Sequence, residues 1–322
     1  MRTININFER VSHLFMSMET KLEGDPEVYE MAVIDKMPVK DDPREVAITR
    51  KLEEVFLKEP WSQKAFADLR ELQIGYLKDV LQSSDDPALV YEKTQKVLSD
   101  VSDLLRSEIA EGEEFLQSIE KGNPALIMTN HLGTYKLAGI DPHKELGLNF
   151  KGYNFMYPSP LFFGGLHPIA KEIGDDLSYV SDDFPGVLGK IHRDSGFIHV
   201  PPQGAQQSGR TAYLLDQTAK AFENRKNTAL VNFPEGKTTG KYSGKGPYDL
   251  EPYKTGGYVI ASLLKTRVIP VAQYFDSKKG LRLKVFPTYV PEQNDKAKME
   301  IRANEDQRAM QEWLDECQKS SS

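Results

Sequence analysis

Two apolar runs that each empty into a polar turn constrain this chain more than any other feature. Ala125-Leu126-Ile127-Met128-Thr129 leads into Asn130-His131-Leu132-Gly133-Thr134-Tyr135-Lys136, and Thr228-Ala229-Leu230-Val231-Asn232-Phe233 leads into Pro234-Glu235-Gly236-Lys237. A short continuous apolar run bounded by turn residues reads as a strand buried on both faces, the kind that fills a parallel sheet. Open α/β sheets present their chemistry at the carboxyl ends of such strands. The first turn therefore offers a histidine at that edge, and the second a carboxylate followed by lysine.

The flanking sequence supports this reading. From Gly122 onward, strand-like runs at 125–129, 150–157, 196–201, 228–233, 267–275 and 280–290 alternate with helical patterns at 161–173, 184–193, 208–224 and 254–264, and a polar helix near 297–319 follows. Strands separated by helices imply βαβ units, hence an α/β fold with a mostly parallel sheet flanked by helices. The last two strands are joined by Asp276-Ser277-Lys278-Lys279-Gly280 and are expected to form a hairpin at one end of that sheet. Residues 1–120 differ in texture. Asp86-Pro87 is a helix start, after which Val90, Val97, Val101, Leu104, Leu105, Ile109, Leu116 and Ile119 recur at amphipathic-helix spacings. Shorter helical patterns precede it near 43–58 and 61–82. The expectation is a helical N-terminal domain over 1–120, an N-terminal bundle serving packing and lid roles, and an α/β domain over 121–322.

Composition narrows the function classes. A chain of 322 residues with 39% hydrophobic and 28% charged residues can bury a substantial core. No apolar stretch approaches the roughly 18 to 20 residues of a membrane-spanning helix. The net charge of -7 argues against nucleic-acid binding, which needs clustered Lys and Arg to neutralise phosphates. The opening Met1-Arg2-Thr3-Ile4-Asn5-Ile6-Asn7-Phe8-Glu9 has no apolar signal region, and the single cysteine, Cys317, has no second cysteine to pair with. A cytoplasmic protein is expected.

Several residues could carry chemistry. His131 would sit where the strand meets a following helix, whose dipole favours the neutral base. Glu235 follows the other strand, and Gly236 lets a ligand approach the backbone. Lys237, Lys241 and Lys245, interleaved with Thr238, Thr239, Gly240, Ser243, Gly244 and Gly246, offer a flexible cradle for a phosphate, and Arg210 is a further candidate to meet one. Gly236-Lys237-Thr238 is not a nucleotide phosphate loop, because the required earlier glycine is replaced by Val231. The histidines His13, His131, His143, His167, His192 and His199 form no His-x-x-x-His pair, so no metal site is expected. The run Phe155-Met156-Tyr157-Pro158-Ser159-Pro160-Leu161-Phe162-Phe163 reads as core and loop, with an acyl tunnel or a membrane contact as the alternative.

Taken together, these residues resemble the glycerolipid acyltransferase superfamily of glycerol-3-phosphate, lysophosphatidate and lipid A acyltransferases. Asn130-His131 is similar to the family's first motif, closest to the lipid A branch, and Phe233-Pro234-Glu235-Gly236 to its third. Tyr253-Lys254-Thr255-Gly256-Gly257 and Val268-Ile269-Pro270-Val271 are similar to the continuation, so the likeness spans about 122–291. The N-terminal helices are similar in kind to the bundle preceding the catalytic domain of soluble plastid-type enzymes. The resemblance implies transfer of a fatty acyl group from acyl-CoA or acyl carrier protein, as cosubstrate with no further cofactor, to a hydroxyl of a glycerolipid-type or phosphorylated acceptor. His131 would act as general base, Glu235 would hold acceptor hydroxyls, and Lys237 and Lys241 would meet its phosphate. Peripheral membrane contact is compatible with such an acceptor.

One position departs from the family. Where the family carries an acid beyond its histidine, this chain has Lys136, which would lower the histidine's pKa by like-charge repulsion. Asp141 would lie about 15 Å from His131 along a continuous helix, too far to substitute directly. Three outcomes stay open: an acid from elsewhere serves, His131 works unassisted on an acidic or preactivated acceptor, or activity is lost. In the last case the protein is a catalytically degenerate member that binds acyl chains or acyl carrier protein. An unrelated α/β enzyme using the 237–245 loop for phosphorylated small molecules is the remaining alternative.

Overall fold

A computed structural model describes residues 43–132, 164–182, 186–200, 207–224, 229–292 and 295–321. Helices α1 (Pro43–Phe56), α2 (Pro60–Gln82) and α3 (Pro87–Leu104) come first, followed by strand β1 (Glu108–Glu111). Then come β2 (Ala125–Thr129), α4 (His167–Ile173), β3 (Leu177–Asp182), α5 (Gly186–Asp194), β4 (Ile198–Val200) and α6 (Gln207–Asn224). The chain continues through β5 (Ala229–Asn232), α7 (Gly256–Leu264), β6 (Arg267–Asp276), β7 (Gly280–Val285) and α8 (Lys296–Ser320). The seven strands described form one sheet in the order β1-β7-β6-β2-β5-β3-β4. All neighbours pair in parallel except the β6–β7 hairpin, which is antiparallel. The architecture is α/β.

The central strands are buried because helices cover both faces, whereas the edge strand β1 has no buried residue. Every residue of β2 is buried, as is β6 from Val268 to Phe275. Adjacent side chains of a strand point to opposite faces. On β6, Phe275 stacks on Phe56 of α1 with ring centroids 3.8 Å apart, while Tyr274 meets the Tyr248 ring at 4.6 Å. Leu52, Phe56, Leu77, Val80 and Leu98 of the first three helices belong to the same hydrophobic core as the strands. Helix starts follow local chemistry: Asp86 accepts a hydrogen bond from Leu89 N at 3.1 Å ahead of Pro87, and Asp295 caps α8 through Lys298 N at 3.1 Å.

Two expectations are corrected. The amphipathic helix expected to reach residue 119 ends at Leu104, where Arg106 turns left-handed at φ 52 and β1 begins. The backbone is held there by long-range bonds, Leu281 N donating to Leu105 O at 3.0 Å and β1 pairing with β7. Helical spacing continued through this segment, yet sheet pairing decided its conformation. The β6–β7 hairpin is likewise not the sheet edge, because β1 lies outside β7. Strand β3 forms where the sequence pattern predicts none, and the last strand, expected over 280–290, stops at Val285. The strand expected at 150–157 and the apolar run 155–163 lie outside the described residues. Among the described residues, no helix is long and apolar enough to cross a membrane.

Candidate active site

Strands β2 and β5 lie side by side in parallel, with Met128 opposite Asn232. Their following turns therefore leave the same edge of the sheet as neighbours. Asn130 is fully buried, and its carboxamide stands in for a strand residue. Its Oδ1 accepts from Gln273 N at 2.8 Å and its Nδ2 donates to Gln273 O at 3.1 Å. Gln273 Nε2 donates in return to Thr129 Oγ1 at 3.0 Å and Asn130 O at 3.1 Å. An amide supplies both donor and acceptor, as a backbone unit does, which a carboxylate cannot. The staple ends the β2–β6 ladder and delivers His131, part-buried, to the mouth of the sheet. The imidazole ring packs at 4.5 Å from the ring of Phe233.

The second turn reaches the first through Glu235. This side chain is 0% exposed, at the centre of a hydrogen-bonded knot. Its Oε1 accepts from His131 N at 3.2 Å and from Thr239 Oγ1 at 2.5 Å, and its Oε2 accepts from Glu251 N at 2.8 Å. Thr239 completes the knot, its Oγ1 accepting from His131 N at 3.0 Å and its own N–H donating to His131 O at 3.0 Å. Burial pushes the Glu235 carboxyl up from 4.5 to about 7, opposed by the Thr239 hydroxyl and the two backbone N–H groups and reinforced by the nearby Glu251 carboxylate. The carboxylate's described bonds go to protein groups, and its role in the knot is to hold the backbone of the histidine turn.

Beyond Glu235 the chain folds into a closed loop. Gly236 is left-handed at φ 65, and a Cβ there would lie 2.6 Å from Lys254 Nζ, so that ammonium rests against the turn. Lys254 N also donates to Pro234 O at 2.8 Å. Glu251 Oε1 accepts from Tyr242 N at 2.6 Å and Ser243 N at 2.8 Å, and its other oxygen lies 3.9 Å from Lys237 Nζ. The segment expected to be a flexible lysine loop is thus tied at both ends, and Lys51 of α1 donates to Gly244 O at 2.9 Å and Lys245 O at 2.8 Å.

The structure brings together His131, Phe233, Pro234, Glu235, Gly236 and Lys237, with Lys241 on the same loop. Arg210 falls in α6, its side chain outside what is described, and Lys136 and Asp141 lie outside the described residues. Sequence reading missed the structural parts played by Thr239, Glu251, Gln273 and Lys254. Asn130, the polar residue at the end of the apolar run 125–129, was the available signal; nothing local marks Thr239, Glu251 or Gln273. Among the described residues, no group of three or more His, Cys, Asp or Glu side chains is placed to hold a metal ion. Comparison with known protein families finds no family model that matches the chain, and comparison with curated proteins finds no match.

Proposed function

We propose that this protein is an acyltransferase that moves a fatty acyl group from acyl-CoA or acyl carrier protein to a hydroxyl of a glycerolipid-type or phosphorylated acceptor. One observation carries the reading: the turns holding His131 and Glu235 are neighbours, joined by the Glu235–His131 N hydrogen bond, with Lys237 beside them. In the proposed step, the neutral His131 imidazole takes the acceptor's hydroxyl proton as its oxygen attacks the thioester carbonyl. The carbon–sulfur bond then breaks, and the thiolate leaves with the proton returned by the imidazolium. Asn130, Thr239 and Glu235 hold the turn that carries the base, and Lys237 and Lys241 supply positive charge for an acceptor phosphate. On the same reading, α1–α3 correspond to the helical bundle of soluble plastid-type enzymes, and the protein works in the cytoplasm or at a membrane surface.

The test is acyl transfer from acyl-CoA and acyl carrier protein to a panel of glycerol phosphate, lysolipid and alcohol acceptors. His131→Ala is expected to lower turnover by about 10²–10⁴ while the circular dichroism spectrum stays unchanged. Full activity in that variant would end the proposal. Lys136, standing where the family has an acid, favours a second reading in which the protein binds acyl thioesters without turning them over. Tight binding of an acyl thioester by the wild type, with no transfer to any acceptor, would select it.

A further inference from the structure

A groove of about 620 Å³ opens where the β1 edge of the sheet meets α8. Strands β7 and β6 separate this edge from β2, so the groove stands apart from the histidine turn. Phe115, Val285, Phe286, Pro287 and the Trp313 ring give it an apolar wall. Its charged lining is one-sided: Glu111, Glu114, Glu312 and Glu316 share it with a single cation, Lys284.

One of the four carboxylates is already answered. Lys284 Nζ lies 2.8 Å from Glu111 Oε2 and 5.4 Å from the centroid of the Phe286 ring, and Trp313 Nε1 donates to Glu111 Oε1 at 2.8 Å. Arg282, the next cation along β7, is paired with Glu108. Among the described residues, Glu114, Glu312 and Glu316 form no ion pair, and Arg308 and Lys319, one helical turn from the last two, form none with them. Ala309, Glu312, Trp313 and Glu316 follow one another at spacings of three and four, hence on one face of α8. Like charges four apart, as Glu312 and Glu316 are, destabilise a helix. The backbone fixes the opposite wall. Gly112 is left-handed at φ 82, and a Cβ there would lie 1.9 Å from Val285 O, so the turn carrying Glu114 and Phe115 is pressed onto the end of β7.

We propose that this groove binds an aliphatic oligoamine, a ligand whose ammonium groups are spaced along a methylene chain. Each ammonium donates to carboxylate oxygens and is attracted by an aromatic face, the two contacts that Lys284 already makes with Glu111 and Phe286. The methylenes between the charges cover the apolar wall, as the stem of a lysine does. The volume of about 620 Å³ falls in the range of small-molecule sites, roughly 300–1,000 Å³. A metal ion fits less well: among the described residues no three His, Cys, Asp or Glu side chains are placed to hold one, and the wall offers it no ligands. The net charge of -7 attracts any polycation, but the unpaired carboxylates set the place. This inference goes beyond the acyltransferase reading and does not rest on it.

Calorimetric titration of the full chain at low ionic strength with spermidine, hexaamminecobalt(III) and a penta-arginine peptide tests the site. Spermidine should bind the wild type, and combining Glu114→Gln, Glu312→Gln and Glu316→Gln should weaken it roughly tenfold, the loss of three exposed ion pairs. Combining Glu54→Gln, Asp85→Asn and Glu223→Gln removes the same charge from exposed positions outside the groove and should leave binding within about twofold of wild type. Hexaamminecobalt(III) carries the same charge as spermidine without methylenes and should bind more weakly. The groove variant should melt no lower than wild type, because it relieves the Glu312–Glu316 repulsion, so its weaker binding does not reflect unfolding. Absence of spermidine binding by the wild type, equal weakening in the two combined variants, or hexaamminecobalt(III) bound as tightly as spermidine overturns the inference. Binding of penta-arginine without binding of spermidine overturns it in favour of a basic protein partner.

Discussion

Replacing Glu235 by glutamine tests the knot between the two turns through its pH dependence. The folded carboxyl, raised by burial from 4.5 to about 7, keeps its proton over a range in which the unfolded chain has lost it. Between about pH 4.5 and 7 the folded state therefore binds more protons, and this group's contribution to stability falls as pH rises, flattening above about 7. The shift corresponds to about 3 kcal/mol across that window. Glutamine keeps the volume but presents an N–H₂ where the ionised Glu235 accepts on both oxygens, from His131 N and Thr239 Oγ1 and from Glu251 N. One donor then faces a donor, at a cost of about 1–3 kcal/mol. Urea denaturation of wild type and Glu235→Gln at several pH values between 4.5 and 8 gives the measurement. Other titrating groups, including Asp175, which burial and Asp176 push up to about 7, are common to both proteins and cancel in the difference. The wild-type advantage should be largest at the acid end and shrink by up to about 3 kcal/mol toward pH 7. A difference that stays flat, or grows with pH, would refute a buried carboxyl with a raised pKa.

Two further substitutions probe the scaffold. Phe56→Ala removes a fully buried ring stacked at 3.8 Å on Phe275 and should lower unfolding free energy by about 3–5 kcal/mol in urea titration, showing that α1 and the sheet share one core. Gly240→Ala forces a left-handed residue against Gly246 O at 1.9 Å. It should cost about 1–3 kcal/mol of stability, read as a lower urea midpoint than wild type.

The central strands were legible because each is an apolar run with turn residues at its ends. β2, β5 and β6 lie at or within two residues of the positions their composition marks. Strand β1 was not legible. Glu108-Ile109-Ala110-Glu111 carries little apolar content, and its ion pairs, Glu108 with Arg282 and Glu111 with Lys284, reach across the chain. β3 was missed for a similar reason: Leu177-Ser178-Tyr179-Val180-Ser181-Asp182 interrupts its apolar residues with serines, and Ser178 is satisfied by Gly196 O from a distant segment.

By itself the sequence determined that His131 and Glu235 stand at the ends of buried strands, since strand burial and turn chemistry are local properties. Tertiary structure alone decided what these residues do there. Parallel pairing of β2 with β5 joined positions separated by 104 residues, and the segment that folds over Glu235 turned its carboxylate toward the backbone of the histidine turn. The approach of Trp313 to Glu111 has the same origin. Each depends on which distant segment packs alongside, and periodicity, spacing and composition carry no record of that neighbour.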